Sequence, residues 1–176
     1  RFARIHGSFG IKSNYKDNDR INHFGNLRIK NLSDLYETRE TTLELRAGAD
    51  KQFELLDFTD YQQLGLTADV SYVAYKDSLL KQNNTLVSLK PFISTSFNEY
   101  TIKAGINLNF KIDTVSKAYL FPFAEGQLRL IDDALVVHAG ITGNVKRQGF
   151  DELSDINPFL QSVLPLKYMR EKFTFY

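Results

Sequence analysis

The chain has no cysteine, no tryptophan, one methionine, four prolines and three histidines in 176 residues. Without cysteine there is no disulfide, no thiolate nucleophile and no Cys-ligated metal. No run of about 18 apolar residues occurs, so no transmembrane helix is written into it. Neither sign of charge dominates: 22 Lys and Arg face 21 Asp and Glu, a formal balance of +1. Such a balance creates no field to draw in nucleic acid, and no nucleic-acid partner is expected. The sequence starts at Arg1 without Met and shows no signal-peptide pattern. Together with a short final segment, this reads as a piece of a longer chain.

What the chain has is aromatic rings and alternation. There are 14 Phe and 9 Tyr, residues suited to strands and interfaces. In 101–112, Ile102, Ala104, Ile106, Leu108, Phe110 and Ile112 share one parity, and Lys103, Gly105, Asn107, Asn109 and Lys111 the other. Successive side chains of a strand point to opposite faces, so one face is apolar and the other polar or small. About eleven alternating residues is long for a soluble strand, with a mode of about five or six. It is the length a tilted strand needs to cross a bilayer.

The pattern recurs at 2–13, 40–50, 64–75, 86–97, 119–131 and 134–146, and more weakly at 21–30 and 172–176. In the 134–146 segment, Ile141, Gly143 and Val145 fall on the apolar parity. Pro91 and Pro122 interrupt two segments and suggest an edge or a bulge, since proline cannot donate to a ladder. Lys16–Asp19, Asn98-Glu99 and Asp132-Asp133 read as turns, the last two tight. The links at 78–85, 113–118 and 147–168 read as longer, and 52–61 breaks that alternation. Lys30–Asp34 and Lys81–Asn84 read as solvated loops. Asn157-Pro158 has the form of a helix start, with Phe159, Leu160, Val163 and Leu164 on one face and Pro165 as the stop.

The expected fold is all-β: an antiparallel, up-and-down transmembrane β-barrel of about eight or more strands, or a fragment of a larger barrel. Residues 1–176 form one barrel domain or barrel fragment, with a short loop helix within about 147–167. A soluble antiparallel sandwich also alternates and is the competing fold. Three features favour the barrel: long strands, polar faces mixing Gly, Ser, Thr and Asn with charges, and links of alternating length.

No G-x-S-x-G, H-E-x-x-H, P-loop or dinucleotide fingerprint is present. No catalytic residue, cofactor or metal ligand is assigned, and no enzyme is expected. Ser8 and His6 share a face about 7 Å apart, too far for a direct nucleophile–base bond. His6 and His138 lie on polar faces and would approach only if their strands closed a small barrel. The candidate lumen-facing residues are Glu44, Arg46, Asp69, Lys103, Asn107, Lys111, Glu125, Arg129 and His138. In a narrow barrel they would pair and plug it; in a wide one they would line a channel.

Tyr119–Leu130 (YLFPFAEGQLRL), Ala139–Gly143 (AGITG) and Asn157–Leu160 (NPFL) resemble the barrel part of Bacteroidota outer-membrane proteins often labelled TonB-dependent-receptor-like. The resemblance covers roughly 85–176. It implies a bacterial outer-membrane location, membrane lipid as a partner, and a role as part of a receptor or transporter for a nutrient or other ligand. An outer-membrane or periplasmic partner protein would fit such a role. No plug domain or TonB-box-like segment can be read. The alternatives are a small structural or adhesive barrel and a soluble β binding module.

Overall fold

The computed structural model describes residues 2–15, 20–35, 37–54, 61–113, 115–130, 135–157, 159–160 and 167–176. Nine strands form one antiparallel sheet in chain order: β1 (Phe2–Lys12), β2 (Ile21–Asp34), β3 (Arg39–Phe53), β4 (Tyr61–Lys76), β5 (Lys81–Phe97), β6 (Tyr100–Ile112), β7 (Lys117–Leu130), β8 (Leu135–Arg147) and β9 (Tyr168–Phe175). Among the described residues one helix, α1 (Phe150–Ile156), lies between β8 and β9. The fold is therefore all-β and up-and-down, as the alternation indicates. The sheet is not closed, and β1 and β9 are its edges. No described helix is long and apolar enough to cross a membrane, which says nothing of a β-barrel.

Register fixes which side chains share a face. Leu27, Leu45, Val70, Val87 and Phe110 stand opposite one another from β2 to β6. Asn26, Arg46, Asp69, Ser88, Asn109 and Tyr119 form the neighbouring row on the other face. The chain thus has an apolar face and a polar face, each continuous across strands.

The sheet curls with the polar face inward. Tyr168 of β9 donates its hydroxyl hydrogen to the Thr85 carbonyl of β5, and Asn107 of β6 donates to the Gly143 carbonyl of β8. These groups come from strands that are not neighbours, so the polar face is concave. Several large side chains fill it locally. Leu86, Phe121 and Val145 form one buried cluster, and Leu32, Tyr75 and Phe150 another.

Val145 reaches the polar side because β8 shifts register between Thr142 and Asn144. That irregularity reverses the parity read from the sequence, and Val145 is buried against Leu86 and Phe121. Pro91 and Pro122 lie in interior strands, not at an edge. The β5–β6 ladder skips Lys90 and Pro91, and the β7–β8 ladder ends at Ala124, two residues past Pro122. Both prolines therefore sit where ladder hydrogen bonds are already missing.

The links differ from the sequence reading. Those at 35–38, 77–80 and 113–116 are as short as four residues, and the 148–167 link at the same end is long. At the opposite end the 13–20 link is long and Asn98-Glu99 is a two-residue turn, with Asn98 at φ 50°. The simple short–long alternation does not hold. Lys30–Asp34 and Lys81–Asn84 are strand, not loop. Their polar residues alternate with Leu32 and with the ladder of β4, which a composition-based loop assignment overlooks. The turns at Lys16–Asp19 and Asp132-Asp133, and most of 52–61, lie outside the described residues.

The β4–β5 link is built around one carboxylate. Asp77 is buried and accepts from the Leu79 and Leu80 N–H groups at 2.7 and 2.6 Å and from the Tyr75 hydroxyl at 2.9 Å. Burial works against its ionised form, but these donors prevail and hold the carboxyl below its ordinary range. A depressed folded-state pKa contributes stability above the unfolded value and loses it as pH falls through the folded one. Asp77→Ala is expected to cost about 1–3 kcal/mol at pH 7, the cost of unsatisfied buried donors. The gap to the parent protein should shrink when unfolding is followed below about pH 4. A gap that stays constant well below that pH, where the carboxyl is protonated, would exclude the carboxylate as the clamp.

Gly105 marks a close approach. It stands opposite Phe92 and Phe123. An added Cβ would lie 2.3 Å from the Pro91 carbonyl oxygen and 2.7 Å from the Phe123 ring. The backbone contact cannot rotate away, so Gly105→Ala is expected to destabilise by about 1–3 kcal/mol in a urea titration. A neutral result would mean that β5 moves freely at Pro91.

Candidate functional site

The polar face carries all nine candidate residues. Glu44, Arg46, Asp69, Lys103, Asn107, Lys111, Glu125, Arg129 and His138 each share the parity of the inward row on their strand. They do not converge on one point. They form three groups.

The first group spans β2 to β5. Arg28 stands directly opposite Glu44, and Arg46 opposite Asp69. Arg28 Nη1 lies 3.5 Å from Glu44, and Arg46 Nε lies 3.3 Å from Asp69. A lysine approaches each carboxylate from the diagonal: Lys30 to Glu44 at 3.9 Å and Lys90 to Asp69 at 3.8 Å. Cross-strand opposite charges contribute roughly 0.2–1 kcal/mol each, so this ladder orders side chains more than it stabilises the fold. A cleft of about 280 Å³ lies beside it, with Asn26, Ser71 and Ser88 in its walls.

The second group runs from β6 to β8. Lys103 is opposite Glu125, and its Nζ sits 4.2 Å from the Phe92 ring centre. His138 is opposite Gln127. His6 lies on β1, which does not pair with β8, so the two histidines are not brought together. Arg129 follows on β7, opposite Val136.

The third group lies where β5 and β6 face β8 and β9 across the concave side. Asn107 is buried and donates to the Gly143 carbonyl at 2.8 Å and to Asn144 at 3.2 Å. Ser88 donates to the buried Asn109 at 2.7 Å. Lys111 pairs with Asp113 at 2.8 Å and lies 4.9 Å from the Tyr168 ring centre. Asp113, in the β6–β7 link, also accepts from the Val115 N–H.

Helix α1 covers one end of this face, and it is not where the sequence places a helix. It spans 150–156, inside the expected 147–167 region, and Asn157 is its C-cap, not its N-cap. Pro158, Val163, Leu164 and Pro165 lie outside the described residues. What starts α1 at Phe150 is a tertiary cap. Glu40 on β3, 1% exposed, accepts from the Phe150 N–H at 2.7 Å and the Asp151 N–H at 3.4 Å. Helix N-termini leave such donors orphaned, and a carboxylate is the favourable acceptor. Arg147 approaches the same carboxylate at 3.9 Å. A Cβ on Gly149 would fall 2.5 Å from the Arg147 guanidinium and 2.8 Å from the Glu40 carboxylate, so a larger residue there would push these two side-chain ends aside. Phe150 is fully buried against Phe2, Leu32 and Tyr75. Arg4 of β1 reaches Asp151, Ser154 and Asp155 at 2.7–2.9 Å. The helix thus bridges the far end of the chain to β1–β4.

Sequence reasoning missed Glu40, Phe150 and Arg4 because most of their partners lie more than a hundred residues away. It also passed over one Ser–His contact: Ser13 Oγ lies 3.2 Å from His23 Nδ1. Ser13 Oγ also accepts from the His23 N–H at 2.7 Å, which makes the contact a clamp on the β1–β2 link. No group of three or more His, Cys, Asp or Glu that could hold a metal occurs among the described residues.

Compared with protein-family models, curated proteins and solved structures, the chain matches none.

Proposed function

We propose that the chain is a transmembrane β-barrel of the bacterial outer membrane, or a segment of a larger one. Its apolar face would meet lipid and its polar face would surround an aqueous lumen. Its role would be in a receptor or transporter for uptake of a nutrient or other ligand. The observation that carries this reading is an inversion of burial. Large apolar residues such as Leu45, Leu66, Ile93, Ile102 and Ile106 are exposed in interior strands, while Thr42, Asn84, Ser88, Ser94, Asn107 and Asn109 are buried. Soluble monomers rarely expose apolar patches beyond a few hundred Å². A sandwich would hide that face under a second sheet about 10 Å away, and the described strands make a single sheet.

Strand length agrees. All strands but β9 have 11 to 17 residues, enough for a tilted crossing of a bilayer. In lipid every backbone group must be satisfied internally, which leaves no room for an open edge. Nine alternating strands put β1 and β9 in the same direction, so their union would be parallel. An all-antiparallel closure therefore needs additional strands, which favours the larger-barrel form. The resemblance over 85–176 points to a Bacteroidota receptor-like barrel, and the charged polar face suits passage of a water-soluble ligand.

The test is folding with and without detergent, read on a gel run unheated and boiled. A folded species that forms only in detergent and shifts on boiling is the expected result. A monodisperse, folded protein in plain buffer would overturn the membrane reading and favour a soluble β binding module.

A further inference from the structure

We infer that the polar face between β2 and β5 binds small solutes carrying two or more negative charges. The inference builds on the proposed role of this face as a lumen wall and names the ligand class. Four cations, Arg28, Lys30, Arg46 and Lys90, surround two carboxylates, Glu44 and Asp69. Each carboxylate is outnumbered two to one, so the cluster keeps two positive charges that nothing within it compensates. The chain as a whole carries only +1, so this excess is local.

The geometry leaves the cations available. Their distances to the carboxylates run from 3.3 to 3.9 Å. Charge-assisted hydrogen bonds that use a donor fully are about 2.7–2.9 Å. The Arg28 and Arg46 side chains are 51% and 61% exposed, more than the carboxylates they face. Arg28 pairs with Glu44 and Asn26 with Arg46, so the two arginines are diagonal neighbours on one face. Diagonal neighbours are within about 7–8 Å of each other, a span that two carboxylates or two phosphoryl groups of one small solute can bridge. Guanidinium forks match such groups bidentately. The adjoining cleft of about 280 Å³ adds the neutral side chains of Asn26, Ser71 and Ser88. Rings of Arg and Lys are the general device for anion passage.

Citrate serves as the probe, with sucrose as a neutral control and spermidine as a cationic one. Binding is followed by calorimetry on the folded full chain, in whichever medium it folds. Citrate should bind saturably and weaken as salt rises, and neither control should bind. Arg28→Gln with Arg46→Gln should lower citrate affinity tenfold or more, while Glu44→Gln, which removes a repelling charge and keeps the shape, should raise it severalfold. Citrate binding that the arginine pair does not alter, or binding of sucrose or spermidine as tight as that of citrate, would overturn the inference. If the arginine double variant does not fold, Glu44→Gln decides: an unchanged or weakened affinity counts against the site. Folding in plain buffer would remove the membrane reading and leave this assay intact, so the two failures are separable.

Discussion

Phe150→Ala should release α1 from the sheet and cost about 3–5 kcal/mol, the range for truncating a fully buried phenylalanine. Phe150 has no exposed surface and fills the space between Phe2, Leu32 and Tyr75. The other ties on α1 are of two kinds, and magnitude separates them. The Arg4 pairs are partly exposed, with 40% of the Arg4 side chain and 64% of that of Asp155 open to solvent. Pairs of that kind are worth about 0–1 kcal/mol. Glu40 is buried, and its loss strands the Phe150 and Asp151 N–H groups and leaves the buried Arg147 without its carboxylate. Breaking such a buried arrangement costs about 3–5 kcal/mol.

The expected order of destabilisation is therefore Phe150→Ala and Glu40→Ala together at the top, with Arg4→Ala well below. Urea unfolding of the folded chain measures the order. Limited proteolysis in the 148–167 link locates the effect, because an undocked helix becomes a cleavage site. If Arg4→Ala cost as much as Phe150→Ala, the exposed ion pairs and not the buried ring would hold the helix.

Legibility in the sequence followed the range of the interactions. Alternation is local, so Ile102 to Ile112 defined β6 without tertiary help, and the up-and-down order followed from strands joined by tight turns such as Asn98-Glu99. The polar-face residues were legible for the same reason, since parity alone assigns Glu44, Asp69 or Lys103 to a face. Parity fails at an irregularity. The β8 register shift at Thr142 and Asn144 turned Val145 inward, and Gly143 between them, a residue type that often marks a bulge or a close backbone approach, is the one local signal of it.

Position along the strand was harder than side. Arg28 and Lys30 lie in a segment where the alternation is weak, and Lys90 precedes a proline that obscures the pattern. Their convergence on Glu44 and Asp69 depends on cross-strand register, which a single strand does not encode. The helix is the extreme case. A local reading favoured Asn157-Pro158 as the start because those residues cap themselves. Most of that segment lies outside the described residues, and the helix that is described, α1, is capped by Glu40, 110 residues away, so its signal is absent from the local sequence. Glycine pairing lies between these cases: Gly105 reads as a polar-face residue, but its role is to admit the Phe123 ring and the Pro91 carbonyl.

Ile106→Arg should destabilise the folded chain by about 2–4 kcal/mol if the apolar face meets lipid, and by no more than about 0.5 kcal/mol if it meets water. Ile106 is the fourth of the seven residues of that parity in β6, midway along an interior strand, and it is 41% exposed. Its exposure means that substitution disturbs little packing, so the environment of the face dominates the result. In a bilayer the charge must be dragged into hydrocarbon or snorkel a long way out. In water an exposed arginine in a strand is nearly neutral. Lys103→Gln, on the opposite face of the same strand, is the matched control, and under the lipid reading it should change stability far less than Ile106→Arg. The comparison is made by urea titration of the protein refolded in lipid vesicles. Equal, small effects at both positions would mean that the apolar face is not in contact with lipid, whatever detergent does to the yield of folding.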